Sequence, residues 1–181
     1  ERRKAEGAEA LKEAAAAARH IGALAFLHDT EKALAAYREA VDLDPDDPDG
    51  WKFLGNLLNR TGDIDGAIKA CNHVLALGNR VDAQAVIADA TSNLGILYST
   101  LGDLDRAEAM YEKSLALNEE LGRKEGMAKQ YGNLGNLYKT RGDLDRAEEM
   151  YGKSLALFRQ VGVAPKIKQV EEWLADLRRS D

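Results

Sequence analysis

Apolar and small side chains recur three or four positions apart over long stretches of this chain, and short polar breaks interrupt them at regular intervals. Across residues 93–122 the recurring positions are Leu94 and Tyr98, then Ala107, Tyr111, Ser114, Leu115 and Leu117, on either side of Gly102-Asp103. That spacing lines one face of a helix, so the segment predicts two amphipathic helices joined by a tight turn. The glycine ends the first helix because it takes the left-handed C′ conformation without a steric penalty. The aspartate after it caps the second helix by accepting a hydrogen bond from an otherwise unpaired backbone N–H. The same pair recurs as Gly62-Asp63 and Gly142-Asp143. Gly55, Gly95 and Gly135 fall inside first helices, each at a cost of about 1 kcal/mol against alanine, which predicts a close approach within the hairpin.

The whole pattern repeats. Residues 93–122 read NLGILYSTLGDLDRAEAMYEKSLALNEELG and residues 133–162 read NLGNLYKTRGDLDRAEEMYGKSLALFRQVG, with 21 of 30 positions identical. From Phe53, FLGNLLNRTGDIDGAIKACNHVLALG keeps the same frame, and HDTEKALAAYREAVDLDP over 28–45 fits the second half of a unit. Units one and two lie 34 residues apart and the later ones 40, so helices near the later junctions gain roughly a turn and a half in total. The organisation this predicts is one array: a degenerate repeat over 1–46, repeats over 47–80, 81–122 and 123–162, and a capping helix over 163–181. In that last segment Ile167, Val170, Leu174 and Leu177 form one stripe, while Lys166, Lys168, Glu172, Asp176 and Arg178 are left to solvent. The alanine-dense stretch over 4–27 has only a weak apolar face and reads as a first-unit helix, with a self-association surface as the alternative.

Composition narrows the function. Three prolines and 6% aromatics in 181 residues favour helices throughout. A net charge of −6 argues against a nucleic-acid partner, because phosphate binding needs a basic face. No stretch approaches the ~20 apolar residues of a membrane span. A chain opening at Glu1 without a signal-peptide pattern predicts a piece of a longer cytoplasmic protein. His20, His28 and His73 form no HxxxH pair and have no Cys partners, so neither a metal site nor a cofactor is expected. Cys71 stands where Tyr37, Tyr111 and Tyr151 stand in the other units, which makes it a small buried hydrophobe. No nucleophile, base or metal set converges, so no enzyme is expected. The acidic run over 42–49 lacks the spacing of a calcium loop. Asp46 or Asp47 is expected to cap the next helix with Pro48 in its first turn, the rest being solvated loop. Arg141-Gly142-Asp143 is a repeat turn, not an adhesion motif.

Tyr131, Leu134, Gly135, Tyr138, Gly142, Ala147, Tyr151 and Ser154 in the fourth unit follow a known signature. Thr91, Leu94, Gly95, Tyr98, Gly102, Ala107, Tyr111 and Ser114 follow it in the third, and Trp51, Leu54, Gly55, Leu58, Gly62, Ala67 and Val74 in the second. In the first, Ala33, Tyr37, Ala40 and Pro45 match while His28 replaces the turn glycine. This pattern resembles the tetratricopeptide repeat family, and the long period is similar to the units of kinesin light chains and bacterial peptide-sensing regulators. The resemblance implies an all-α fold, a right-handed superhelical solenoid of antiparallel helix hairpins with four repeats plus a C-terminal capping helix. It also implies a protein–protein interaction scaffold, part of a larger bacterial protein, that binds a peptide or protein segment in a concave groove lined by first helices. By that correspondence the groove presents Lys52, Asn56, Asn59 and Arg60, then Asp89, Ser92, Asn93, Ile96 and Ser99, then Lys129, Asn133, Asn136 and Lys139. An asparagine amide offers both donor and acceptor to an extended backbone, though bonding between adjacent hairpins would explain the asparagines equally. The alternatives are a self-assembling spacer, with homo-oligomers, and a regulatory sensor arm of a multidomain protein. A chaperone-type adaptor is a further one: Lys52, Asn56, Asn93 and Lys129 match four places of a clamp that grips a C-terminal carboxylate, while Asn133 replaces its last cation.

Overall fold

The structure, a computed structural model, describes residues 2–179. Every regular element among the described residues is an α-helix, and the chain divides after Ala83 into two compact units. In the first unit α1 (Arg2–Ala25) folds back on α2 (Thr30–Leu43), and α3 (Pro48–Thr61) folds back on α4 (Ile64–Arg80), with α2 beside α3. Each turn is closed by an aspartate. Asp29 accepts from the Lys32 backbone N–H at 2.9 Å, and Asp63 accepts from Gly66 N–H at 2.9 Å. Asp47 caps α3 by accepting from Asp49 and Gly50, with Pro48 as the first helical residue.

The first turn departs from the others. No glycine closes it, and no residue from Phe26 to Asp29 takes a positive φ. The Asp29 N–H reaches back to the Ala25 carbonyl at 2.8 Å, so the cap closes the turn alone. α1 is also inverted in character. Ala15, Ala18, Gly22 and Ala25 are buried on its inner face, with Gly22 against the Tyr37 ring, while Leu11, Ile21, Leu24 and the turn residue Leu27 are exposed. The rest of the acidic run is mostly exposed, as expected, but Asp47 also pairs with Arg19 and the exposed Asp46 meets Arg80 at 2.7 Å. Those contacts tie the α2–α3 loop to the helices on either side of it.

The second unit holds α5 (Gln84–Thr100), α6 (Leu104–Glu120), α7 (Lys124–Arg141), α8 (Leu144–Val161) and α9 (Ala164–Leu177). α5 pairs with α6, α7 with α8, and α9 lies on α8. Where α2 and α3 have 14 residues, α6 has 17 and α7 has 18, about one extra turn each. Gly142 ends α7 at φ 79°, and Asp143 caps α8. A Cβ added to Gly135 would lie 2.5 Å from the Tyr151 ring, so the glycine inside α7 is there to seat that aromatic. Two serines at equivalent positions tie neighbouring helices together. Ser114 donates to the Ala88 carbonyl at 2.8 Å and Ser154 to the Ala128 carbonyl at 2.7 Å.

The core of this unit runs through Leu134, Leu137, Tyr151, Phe158 and Val170. Val170 and Leu177 of α9 are buried in it, and Ile167 and Leu174 pack against it. Lys166, expected in solvent, is half-buried instead.

Candidate protein-interaction surface

With Leu54, Leu57 and Leu58 buried, α3 turns Lys52 and Asn56 outward to solvent. Asn59 is half-buried. Arg60 is occupied elsewhere: its guanidinium sits 3.9 Å over the Phe26 ring and donates to the Phe26 carbonyl. That arginine closes the first hairpin against the second.

The first helices of the second unit carry the larger surface. On α5, Ile87, Leu94 and Leu97 face the core, leaving Asp89, Asn93 and Ile96 on the other side. Ile96 is 39% exposed. Asp89 pairs with Arg123 at 3.1 Å. Ser99 hydrogen-bonds Tyr111, whose phenol burial pushes up to about 12 even though that bond pulls the other way. On α7, Lys129, Asn133 and Asn136 follow at four and three residues and form one stripe, with Lys139 exposed near its end.

The asparagines are partly engaged by the protein. Asn136 Oδ1 accepts from the Tyr151 hydroxyl at 2.7 Å, which spans α7 and α8 of one hairpin. Asn133 Nδ2 donates to Gln130 Oε1 at 3.4 Å. Each amide keeps its other atom without a partner among the described residues, a donor at Asn136 and an acceptor at Asn133. Lys129 pairs with Glu125 at 2.7 Å.

Gln130 is the residue that periodicity missed. It is only 2% exposed, and its Nε2 donates to Ser92 Oγ at 2.9 Å, joining α7 to α5. The signal was available: Gln130 stands where Ala90 stands one repeat earlier, a polar group at a core position. A buried amide needs a partner, and Ser92 supplies it. Trp173 of α9 was missed too. Its ring lies 5.5 Å from that of Tyr151, at the position equivalent to Asn133. Among the described residues no three His, Cys, Asp or Glu side chains gather where they could hold a metal. His73 stacks on Trp51 at 4.1 Å. No helix of the described residues is long and apolar enough to cross a membrane.

A family profile described as tetratricopeptide repeat matches residues 50–120 and again 86–160, covering α3 through most of α8. The chain belongs to the tetratricopeptide repeat family. A second profile of the same description matches residues 14–57, which brings in α1 and α2. Tetratricopeptide repeats are in general protein–protein interaction modules, and the fold is typically non-enzymatic. Among solved structures the chain is similar to BtubC (BKLC) from P. vanneervenii, at 21% identity and a TM-score of 0.65, over 97% of this chain and 91% of that one. It is also similar to MamA, at 23% identity and a TM-score of 0.67, over 82% of this chain and 80% of that one. The N-terminal domain of stress-induced protein-1 (STI-1) from C.elegans matches at 25% identity and a TM-score of 0.56, over 60% of this chain and 87% of that one. A search of curated proteins finds no match.

Proposed function

We propose that this tetratricopeptide repeat chain binds an extended peptide or protein segment along the outer stripes of its first helices, with Asn93, Ile96, Asn133, Asn136 and Lys139 as contact residues in the second unit. The observation that carries this reading is the polar first-helix face: Asn133 and Asn136 of α7 each keep an amide atom to spare, and Ile96 of α5 stands exposed. A peptide backbone presents alternating donors and acceptors, and an aliphatic side chain beside them gives apolar contact, the combination peptide-holding grooves use. Lys52 and Asn56 of α3 are contact residues in the first unit, whereas Arg60 is already taken by Phe26. The role is that of a scaffold in the cytoplasm.

Panning a random peptide display library on the wild-type chain tests this. Selected peptides should bind Ile96→Glu and Lys139→Glu variants at least about tenfold more weakly, a loss of roughly 1.4 kcal/mol, while helical circular dichroism stays unchanged. Selected peptides that bind both variants as tightly as wild type would exclude these stripes.

A second reading, self-association, is favoured by one observation. Leu24 of α1 is 67% exposed and Leu27 in the turn after it is 77% exposed, apolar surface open to solvent.

A further inference from the structure

α1 leaves open a face that other first helices keep covered. Gly22 seats the Tyr37 ring as Gly135 seats that of Tyr151. That match aligns Ala17, Ile21 and Leu24 of α1 with Gly50, Leu54 and Leu57 of α3, and with Gln130, Leu134 and Leu137 of α7. In α3 and α7 all three positions are buried. They lie on the side of the preceding hairpin: a Cβ on Gly50 would stand 3.2 Å from Val41 of α2, and Gln130 reaches Ser92 of α5. In α1 the same three positions are exposed.

The open stripe continues toward the start of α1 through Ala14 and Ala10, both exposed. Its apolar positions recur at steps of four, three, four and three, the spacing of a helix that pairs with another helix. Beside the end of the stripe lies a half-open groove of about 310 Å³. Ile21, Leu24 and Ala25 form its apolar side, and His28, Asp29 and Lys32 its polar side.

Two gradients along α1 decide what fits this face. Side-chain size grows from Ala10 and Ala14 to Ile21 and Leu24. Glu6, Glu9 and Glu13 stand in the first half, whereas His20 stands in the second and His28 and Lys32 follow just beyond it. A second α1 laid antiparallel about Ala17 answers both gradients. Leu24 then lies over Ala10 of the second copy and Ile21 over Ala14, large on small, and the two-fold axis repeats each contact. The acidic half of each helix also comes beside His20, His28 and Lys32 of the other. A parallel pair would set leucine on leucine and glutamate on glutamate.

We infer that α1 is a pairing helix, through which two copies of this chain associate by an antiparallel α1–α1 contact centred on Ala17. This rests on the self-association reading and gives it a surface, an orientation and a limit, because an isologous contact closes at two chains. One seam containing three alanines is small beside a standard interface of about 1,600 Å², so a dissociation constant on the order of 0.1 mM is expected. In dilute solution the face stands open.

Sedimentation equilibrium of the full chain from about 10 µM to about 1 mM tests this. The mean mass should rise toward two chains and no further. Ala17→Glu sets two like charges together on the axis, at a position that is exposed in the single chain. It should weaken pairing at least about tenfold while helical circular dichroism stays unchanged. Orientation is read by copper-phenanthroline oxidation, with wild type and its buried Cys71 as control. Ala10→Cys and Leu24→Cys chains should cross-link when mixed and not when each is alone. Cross-linking of either variant alone, none in the mixture, or growth beyond two chains overturns the antiparallel pair. If Ala17→Glu dimerises as well as wild type, pairing through α1 fails and self-association stands. A chain that stays single at about 1 mM overturns both.

Discussion

The Tyr138 hydroxyl donates to the Glu108 carboxylate at 2.5 Å, joining α7 to α6. Arg141 grips the same carboxylate and reaches Asp105 at 2.6 Å, so one acidic residue anchors the fourth hairpin to the third. Burial pushes the Glu108 carboxyl up, but the Tyr138 and Arg141 hydrogen bonds together outweigh it and leave it below its ordinary value. A carboxylate depressed in the folded state stabilises the protein above its unfolded value of about 4.3, and that stabilisation is lost as pH falls through the folded value. Glu108→Gln should therefore cost about 1 kcal/mol at pH 7. Urea unfolding of both proteins should show the deficit shrinking below about pH 4. An equal deficit at pH 7 and pH 3 would contradict this account.

Gly135→Ala and Gly152→Ala should move stability in opposite directions. At Gly135 a new Cβ meets the Tyr151 ring at 2.5 Å, and displacing that buried ring should cost about 1–3 kcal/mol, more than the helix-propensity gain of about 1. At Gly152, within α8, nothing lies within 4 Å, so alanine should raise stability by up to about 1 kcal/mol. Thermal melts of the two variants, followed by circular dichroism, decide the sign at each site.

Cys71 should be inert. Burial pushes its thiol up to about 11, and the side chain is enclosed between α3 and α4. Thiolate is the reacting form, so an aromatic disulfide reagent at pH 8 should label the native chain far more slowly than the urea-unfolded chain. Equal labelling rates would mean that the second hairpin opens readily.

These outcomes rest on features of unequal visibility in the sequence. The hairpins were legible because Gly62-Asp63, Gly102-Asp103 and Gly142-Asp143 each combine two local requirements, a left-handed residue and a cap, that need no knowledge of the rest of the fold. Gly135 was legible as a close approach, though not as a seat for Tyr151. Contacts that cross from one hairpin to the next were not. Whether Arg60 faces solvent or Phe26 depends on where the previous turn ends, and a helical period carries no information about that. Lys166 was misplaced for the same reason. A one-face stripe on α9 assigns every lysine to solvent, while Trp173 and the α7 side chains build a wall over part of that face.

Leu24→Lys and Leu27→Lys should change stability by less than about 0.5 kcal/mol, because both side chains already stand in water. Binding of a hydrophobic dye to the native protein should fall. A loss of more than about 2 kcal/mol in urea would show that this face is covered in solution.

The third and fourth repeats, identical at 21 of 30 aligned positions, raise a question of bookkeeping during folding, since similar neighbours invite mispairing. Asn118 of α6 and Phe158 of α8 occupy the same repeat position, yet one is an amide and the other an aromatic ring. Asn118 fits only against Gly126, where any Cβ would collide with its side-chain oxygen at 1.9 Å. The residue of α9 equivalent to Gly126 is Lys166, so a chain that skipped its fourth hairpin and docked α6 on the cap would set that amide against a lysine stem. Asn118 and Gly126 thus act as a key and its lock, written into a duplicated sequence at the place where the copies most need to be told apart.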